Sequence, residues 1–424
     1  MSTLKFSTQA LHSGHDVTTT QGTRAVPIYH SSSYVFENAD HAAGAFNLSI
    51  PAYIYTRLNN PTNDVLEKRL AALEGGIGAV VTSSGAAAIS TTLLTLLKAG
   101  DHIVSSSSLY GGTYNLLNVT LPRYDINTTF VDPANVENFR KNIQQNTKAI
   151  FVESLGNPKL DIINLKAVSA IAKEFHIPLI VDNTVASPYL LRPIEHGANI
   201  VIHSLTKYIS GNGTSLGGAI IDAGTFDWSS GRFPEFTEPA AGYHGLVYHE
   251  ALGSAAFIAK IRIEGLRDLG AALSPFNAFQ ILQGLETLPI RIKKHSENAL
   301  ELASWLEKQE AVAWVNYPGL KSSPYYQLAQ EYLPEGQSGV VTFGLKKGFE
   351  AAKKIANETK LFSLVANIGD TKSLIIHPAS TTHQQLTVEE QKATGVSPDL
   401  IRLSVGIENI EDLKQDLQQI FIQL

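Results

Sequence analysis

A buried strand, a lysine and a glycine-rich turn follow one another in the stretch IVIHSLTKYISGNGTSLGG, residues 200–218. The apolar run over 198–202 predicts a strand that is covered on both faces, and Lys207 follows it closely. Burying a lysine as a cation is costly, so a lysine at this position is suited to act as a neutral amine or as an imine. The alternative is an ordinary lysine in a surface loop, since most lysines are solvated.

Composition excludes several classes of function. The chain has 424 residues, a formal net charge of −6 and no cysteine, which excludes disulfides, thiolate nucleophiles and cysteine metal sites. The length suggests two or three domains. No basic stripe favours a nucleic-acid partner, and no membrane-spanning run or signal-peptide pattern is found. We therefore expect a cytoplasmic protein with small-molecule partners.

Short apolar strands alternate with helical patterns after about residue 64. Strands are predicted at 79–84, 102–105, 126–131, 149–152, 179–181 and 200–202, with helices between several of them. This order predicts an α/β fold with a mostly parallel sheet, and ligands of such sheets bind beyond the carboxyl ends of the strands.

Three regions are predicted. Residues 1–63 are irregular and would form an N-terminal arm that wraps a neighbouring subunit or is disordered. Residues 64–258 would form the large cofactor-binding domain. Residues 259–424 would form a smaller C-terminal α/β domain, in which a helix break falls at Ser274-Pro275 and the last helix covers 410–422.

Two predicted strands run into segments that are typical of cofactor contacts. Ser84-Gly85-Ala86 opens a helix, whose free N–H groups and positive end would form a phosphate cradle, although an ordinary helix cap is the alternative. Tyr110 stands beside Gly111 and Gly112 and would lay its ring on a planar cofactor, or it is a packed surface tyrosine.

Asn157 and Asp182 follow two further strands. Pro158 holds Asn157 extended and aims its side chain, or the pair is a simple turn. Asp182 would pair with a protonated pyridine nitrogen and keep the ring an electron sink, or it caps a helix. Asp182 and Lys207 at successive strand ends, with a phosphate cradle upstream, together predict a pyridoxal phosphate site.

The segment SLTKYISG, residues 204–211, resembles the attachment signature of the Cys/Met-metabolism pyridoxal phosphate enzymes. That family includes cystathionine γ-synthases and lyases, methionine γ-lyases and O-acetylhomoserine sulfhydrylases. The resemblance runs from Thr8 to the C-terminus, with further matches at 55–57, 84–86, 110–111, 181–184 and 401–404. It implies fold type I of the PLP-dependent transferases, the aspartate-aminotransferase-like fold.

The resemblance also implies residue roles. Lys207 would attach pyridoxal 5′-phosphate and act as catalytic base, assisted by Tyr110. The implied cofactor-binding residues are Lys207, Asp182, Thr184, Tyr110, Ser84, Gly85, Ala86, Ser204, Thr206, Tyr55 and Arg57. Tyr55 and Arg57 would reach the phosphate of a neighbouring subunit in a homotetramer. The implied substrate-binding residues are Asn157, Ser363, Arg402 and Tyr55.

Arg402 is suited to bind the substrate carboxylate because its planar fork makes two parallel hydrogen bonds. Without the other motifs it would be interpreted as a solvated arginine. No metal site is expected.

Several segments resemble the O-acetylhomoserine sulfhydrylase branch: GRFPEFTEP at 231–239, GYHGL at 242–246, and residues 367–385. Methionine γ-lyases often carry a cysteine two residues after the stacking tyrosine, where this chain has Gly112. The implied reaction is a γ-replacement that converts O-acetyl-L-homoserine and sulfide to L-homocysteine and acetate in methionine biosynthesis. A cystathionine γ-synthase or methionine γ-lyase type of activity is the alternative.

Other classes of function fit less well. The 13 histidines show no HExxH spacing, which argues against a metal hydrolase. The glycines at 211, 213 and 217 do not match the dinucleotide-binding fingerprint GxGxxG, because the third glycine lies one position too far along the chain. A non-catalytic pyridoxal phosphate protein, serving as a sensor or partner subunit, is the remaining alternative. The presence of Lys207, Asp182 and Arg402 argues against it.

Overall fold

The computed structural model describes residues 4–243, 245–382, 384, 387, 391 and 394–424. Within these residues the strands form one sheet of seven strands and one of five. The larger sheet contains β1 (Gly78–Thr82), β2 (His102–Ser106), β3 (Asn127–Val131), β4 (Thr147–Glu153), β5 (Leu179–Asp182), β6 (Ile200–Ser204) and β7 (Gly218–Asp222). The smaller sheet contains β8 (Val312–Asn316), β9 (Val340–Leu345), β10 (Ser363–Leu364), β11 (Leu374–Ile376) and β12 (Leu400–Ser404).

The larger sheet confirms the predicted mostly parallel α/β fold. Its strand order is β1-β7-β6-β5-β4-β2-β3. β7 is antiparallel to both of its neighbours, while β2 to β6 run parallel. Strand β7, which follows the glycine-rich turn after Lys207, was not among the predicted strands. Because β2, β4, β5 and β6 are parallel, their carboxyl ends meet at one edge.

Helices cover both faces of the larger sheet, and further helices pack against the smaller sheet. The α-helices are α1 (Phe6–His12), α2 (Ala39–Phe46), α3 (Pro61–Glu74), α4 (Gly85–Leu96), α5 (Gly111–Asn115), α6 (Glu137–Asn142), α7 (Leu165–Glu174), α8 (Ser187–Leu190), α9 (Pro234–Thr237), α10 (Tyr248–Leu252), α11 (Ala256–Lys260), α12 (Arg267–Leu269), α13 (Pro275–Glu286), α14 (Leu288–Leu306), α15 (Tyr326–Tyr332), α16 (Gly348–Glu358) and α17 (Ile410–Phe421). Two π-helical turns, Leu116–Thr120 and Ile261–Leu266, continue α5 and α11. Short 3₁₀ turns lie at Val17–Thr20, Leu121–Tyr124, Pro193–His196, Ala241–Tyr243, Gly253–Ala255 and Pro378–Ser380.

The core explains why the central strands are continuous apolar runs. Val181 and Val201 belong to one buried cluster with residues of α3 and α13, whereas Ile180 and Ile202 belong to another with residues of α4 and α11. Successive residues of one strand are thus buried on opposite faces. Each such aliphatic side chain contributes about 1.5–3 kcal/mol by leaving water.

The predicted domain division stays a prediction. The divisions after residues 63 and 258 fall inside α3 and α11. Residues 1–63, predicted as irregular, contain α1 and α2, and Asn38 caps α2 by accepting the N–H of His41 at 2.8 Å. Among the described residues, no helix combines the length and apolar character needed to cross a bilayer.

Candidate active site

A cavity of about 600 Å³ lies at the carboxyl ends of the parallel strands. It brings together most of the residues that the sequence predicted for one site. The predicted residues that line it are Ser84, Gly85, Ala86, Tyr110, Asn157, Asp182, Thr184, Ser204, Thr206, Lys207 and Arg402. Those that come from the larger sheet lie at or after its strand ends, which places them at the same edge of that sheet, whereas Arg402 comes from the smaller sheet.

Lys207 lies in the turn after β6 and is partly buried. Its ammonium group donates a hydrogen bond to Oδ1 of Asn367. Burial, and then the positive charge of Arg402, lower the pKa of Lys207 to about 8. A sizeable fraction of neutral amine is therefore present near neutral pH, as a nucleophile or a base requires.

Arg291 fixes the turn that carries Lys207. The guanidinium group donates to the backbone carbonyls of Tyr208 at 2.8 Å and Ile209 at 3.1 Å. A Cβ at Gly211 would lie 2.0 Å from Nη1 of Arg291, and Gly211 has a φ of +73°, so both space and backbone conformation require glycine there. The turn is thus held against α14.

Asp182 ends β5 and faces the cavity. The backbone N–H and the hydroxyl of Thr184 both donate to its Oδ1, at 3.0 and 2.5 Å. Burial raises the pKa of Asp182, while the two hydrogen bonds from Thr184 and the nearby His203 act in the opposite direction. Thr184 also accepts the N–H of Ser204 at 2.8 Å, which links the ends of β5 and β6.

The start of α4 forms the predicted anion cradle. Oγ of Ser84 caps the helix by accepting the N–H of Ala87 at 3.1 Å. A Cβ at Gly85 would lie 2.6 Å from Cβ of Ser204, so glycine is needed for the close approach of α4 to β6. Thr206 is tied to the same region, since its hydroxyl accepts the N–H of Gly217 at 3.1 Å. The free N–H groups and the positive helix end suit a phosphate group.

Arg402 is a buried cation that lies on β12 of the smaller sheet. Its Nη1 donates to Oδ1 of Asn157 at 3.1 Å, and its Nη2 donates to the backbone carbonyl of Asn367 at 3.2 Å. Nε of Arg402 has no hydrogen-bond partner among the described residues. Burial lowers the pKa of Arg402 to about 10, so the group remains charged at neutral pH. A buried guanidinium without a carboxylate partner suits an anionic ligand.

Three predicted residues do not line the cavity. Tyr55 is 42% exposed, and Arg57 lies 5.4 Å above its ring while donating to the carbonyl of Arg267. Their predicted role concerns a neighbouring subunit and stays a prediction. Ser363 is exposed on β10, where its N–H donates to Ser373. In the segment 363–368 only residues 366–368 line the cavity, so the substrate contact of Ser363 stays a prediction.

Glu153 and Asn367 line the cavity but were not predicted as site residues. Glu153 ends β4 and pairs in register with Asp182, and it accepts the N–H of Tyr110. The signal that identified Asp182, an acid directly after an apolar strand, also applies to Glu153. Asn367 begins a segment that was noted for its family resemblance, but local sequence contains no sign of its contact with Lys207.

Some predictions lie outside the described residues. His244, His383 and Gln385, within two of the three segments that resemble the sulfhydrylase branch, are among them. In the described part of the chain, no group of three or more acidic or histidine side chains is arranged to hold a metal ion.

Comparison with known proteins identifies the family. The model of the family described as Cys/Met metabolism PLP-dependent enzyme matches residues 7–422. The chain belongs to this family. It is therefore a PLP-dependent enzyme, and the predicted family and cofactor are confirmed.

Relatives cover the chain from end to end. The O-acetyl-L-homoserine sulfhydrylase of Leptospira meyeri is 54% identical, over 98% of this chain and 96% of the relative. The homocysteine synthase of Schizosaccharomyces pombe is 50% identical, over 98% and 97%. A crystal structure of a putative O-acetylhomoserine (thiol)-lyase from Campylobacter jejuni has a TM-score of 0.96 and 44% identity, over 99% of this chain and 100% of that one. That structure contains N′-pyridoxyl-lysine-5′-monophosphate, and the likeness confirms the predicted fold type.

The residues of the cavity fit pyridoxal 5′-phosphate. The cradle between Ser84 and Ser204 suits its phosphate, Asp182 suits its pyridine nitrogen, and Lys207 is an amine within the same cavity. Arg402 lines the same cavity and forms no ion pair with an acidic side chain among the described residues, which suits the carboxylate of a substrate. The residues of this cavity are therefore suited to bind the cofactor and the carboxylate of a substrate at the same time.

Proposed function

We propose that the enzyme catalyses a γ-replacement that converts O-acetyl-L-homoserine and sulfide to L-homocysteine and acetate, a step of methionine biosynthesis. The proposal rests on one observation: the same cavity is lined by Lys207, Asp182 and Arg402. These residues supply a base, a partner for the ring nitrogen and a site for the substrate carboxylate. The names of the relatives from Leptospira meyeri and Schizosaccharomyces pombe support this choice of substrate and product.

The predicted cofactor-binding residues of the cavity are each proposed to hold one part of the cofactor. Ser84, Gly85, Ala86, Ser204 and Thr206 surround the phosphate. Asp182, oriented by Thr184, faces the pyridine nitrogen, and Tyr110 covers the ring. Bound pyridoxal 5′-phosphate supplies an electron sink for negative charge that forms beside the substrate nitrogen.

Lys207 is proposed to move two protons in each turnover. Its amine first removes the proton of the substrate α-carbon, and a second proton then leaves the β-carbon. The bond between the γ-carbon and the acetate oxygen breaks, and the sulfur of sulfide forms a bond to the same carbon. Return of the protons to the substrate balances the reaction. A base with a pKa of about 8 suits both directions of transfer near neutral pH.

Arg402 and Asn157 are proposed to orient the substrate. The guanidinium group of Arg402 binds the α-carboxylate, and Asn157 fixes the guanidinium through the hydrogen bond at 3.1 Å. Asn367 supports the same arginine through its backbone carbonyl. This geometry holds the α-carbon at a constant place relative to Lys207. Ser363 and Tyr55 lie outside this part of the cavity, and contacts of Tyr55 with substrate are proposed only from a neighbouring subunit.

An assay of the purified holoenzyme tests the reaction. O-acetylhomoserine and O-succinylhomoserine are each supplied with sulfide and with cysteine, and methionine is supplied alone. We expect homocysteine and acetate from O-acetylhomoserine with sulfide, and no product from a Lys207→Ala variant. Faster reaction of O-succinylhomoserine with cysteine would indicate a cystathionine γ-synthase. Release of methanethiol from methionine would indicate a methionine γ-lyase.

The enzyme is further proposed to work in the cytoplasm as a homotetramer that shares active sites between subunits, with no nucleic-acid or membrane partner. Large apolar side chains of the N-terminal region, such as Leu4, Val35 and Phe46, are exposed in the single chain, which supports burial against another copy. Tyr55 and Arg57 lie outside the cavity of their own chain, which supports a role across that contact. Light scattering should give four times the chain mass of 45.9 kDa, and a monomer would contradict the assembly.

A further inference from the structure

Glu153 lies in the cavity but has no part in the proposed reaction. It is the last residue of β4, only 7% of it is exposed, and it stands in register beside Asp182 on β5. In the described part of the chain, neither carboxyl group forms an ion pair. Two acids thus lie side by side without a cation between them.

The side chain of Glu153 ties Tyr110 to the central sheet. Its Oε1 accepts the backbone N–H of Tyr110 at 2.5 Å. Tyr110 directly precedes α5 and makes no side-chain cap to that helix. Tyr110 is 57% exposed and its ring lies over Gly112, so packing alone does not fix the side chain. The hydrogen bond to Glu153 therefore fixes the position of Tyr110.

The hydrogen bonds around the two acids are unequal. Asp182 accepts two from Thr184, whereas Glu153 accepts one from Tyr110. Hydrogen bonds to a carboxylate favour its ionised form, and like charges at adjacent sites disfavour a second ionisation. Burial and the charge of Asp182 raise the pKa of Glu153 well above its usual value. The cavity cations Lys207 and Arg402 bond to Asn367 and Asn157 instead.

We propose that Glu153 is a positioning residue, an uncharged acid that anchors Tyr110 and leaves Asp182 as the carboxylate beside the cofactor ring. An uncharged neighbour does not compete with Asp182 for a positive ring nitrogen. The kinetic part of the proposal rests on the proposed function, whereas cofactor binding and spectra require no substrate.

The test compares Glu153→Gln with Glu153→Ala in the holoenzyme. Glutamine is uncharged and keeps a carbonyl acceptor for Tyr110, whereas alanine removes the acceptor. We expect E153Q to keep the apparent pKa of the cofactor's visible absorption band and to keep kcat within about threefold, while E153A lowers kcat by roughly tenfold. The dissociation constant of the cofactor, measured by titrating apoprotein, should rise in E153A and not in E153Q.

Glu67→Gln is the matched control. Glu67 is also buried and accepts the N–H of Val81 at 2.9 Å, but unlike Glu153 it forms an ion pair with Arg262 and does not line the cavity. E67Q should change thermal stability and leave the visible band unchanged. If E153A fails to fold, the apparent pKa of the visible band in E153Q still shows whether Glu153 is charged.

Two outcomes would overturn the proposal. A fall of about one unit or more in the apparent pKa of the band in E153Q would show that Glu153 carries a charge. Wild-type kcat and cofactor affinity in E153A would show that Glu153 does not position Tyr110. Absence of turnover of O-acetylhomoserine by the wild-type enzyme, with the expected spectra in the variants, would contradict the proposed function alone.

Discussion

The ammonium group of Lys207 donates a hydrogen bond to the side-chain carbonyl of Asn367. The backbone carbonyl of the same Asn367 accepts a hydrogen bond from Arg402 at 3.2 Å. One residue thus contacts both the proposed base and the proposed carboxylate-binding group. Because its two carbonyls serve different partners, the two contacts can be tested separately by side-chain substitution.

Asn367→Ala should lower kcat by roughly tenfold, because the amine of Lys207 loses its acceptor. KM for O-acetylhomoserine should change little, since the contact with Arg402 uses the backbone. Steady-state kinetics measure both constants. Asn367→Asp is the contrasting variant, because a carboxylate beside Lys207 would raise the pKa of the amine. A change confined to KM in the alanine variant would contradict the assignment.

The capture of cofactor by apoprotein should follow the protonation of Lys207. Burial and Arg402 lower the pKa of Lys207 to about 8, and only the neutral amine attacks an aldehyde. The rate constant should therefore rise with pH and level off above about pH 8, whereas an ordinary lysine would keep gaining reactivity toward about pH 10.4. Stopped-flow absorbance measures the rate.

The direction in which Arg402 shifts the pKa of Lys207 provides the control for that pH profile. Arg402 lowers the pKa of Lys207, so Arg402→Met should move the midpoint to higher pH. A midpoint that stays in place, or moves down, would show that the charge of Arg402 does not act on Lys207.

Substitution of Arg402 should weaken substrate binding more than cofactor binding. Arg402→Ala should lower kcat/KM for O-acetylhomoserine by about 100-fold, because the buried carboxylate contact is lost. Arg402→Lys should recover only part of this, since lysine lacks the planar fork. Cofactor affinity, measured by titration, should stay near the wild-type value. A loss of cofactor affinity equal to the loss of kcat/KM would contradict a substrate role.

Gly112→Ala should displace the ring of Tyr110, because the new Cβ would lie 2.5 Å from Cε1 of that ring. Since the ring is more than half exposed, stability should change by only about 0.5 kcal/mol or less, while cofactor affinity falls by several-fold. Thermal unfolding and cofactor titration separate the two effects. Gly242→Ala is the matched control, since its Cβ would meet none of the described residues within 4 Å.

Residues with a local signal were predictable. Asp182 ends one apolar strand and Lys207 follows another within three residues, while Ser84-Gly85 begins the helix after a third strand. The alternation of strands and helices also predicted the parallel part of the larger sheet. These features depend on neighbours within a few residues, so the linear sequence contains them.

Contacts between distant segments were not predictable in the same way. Ser363 was expected at the substrate, yet Asn367 lines the cavity, because β10 ends before the chain turns inward. Glu153 and Tyr110 meet across neighbouring strands, and β7 enters the sheet antiparallel. No local spacing encodes which strand lies beside another.

By itself the sequence determined the fold class, the family resemblance and the residues at the strand ends, because strand and helix periodicities and strand-end motifs are local. Only the tertiary structure decided which polar and charged side chains meet. Asn157, Asn367 and Arg402 lie far apart along the chain and come together through the packing of the smaller sheet against the cavity. The lowered pKa of Lys207 and the raised pKa of Glu153 follow from burial, which exists only after the chain has folded.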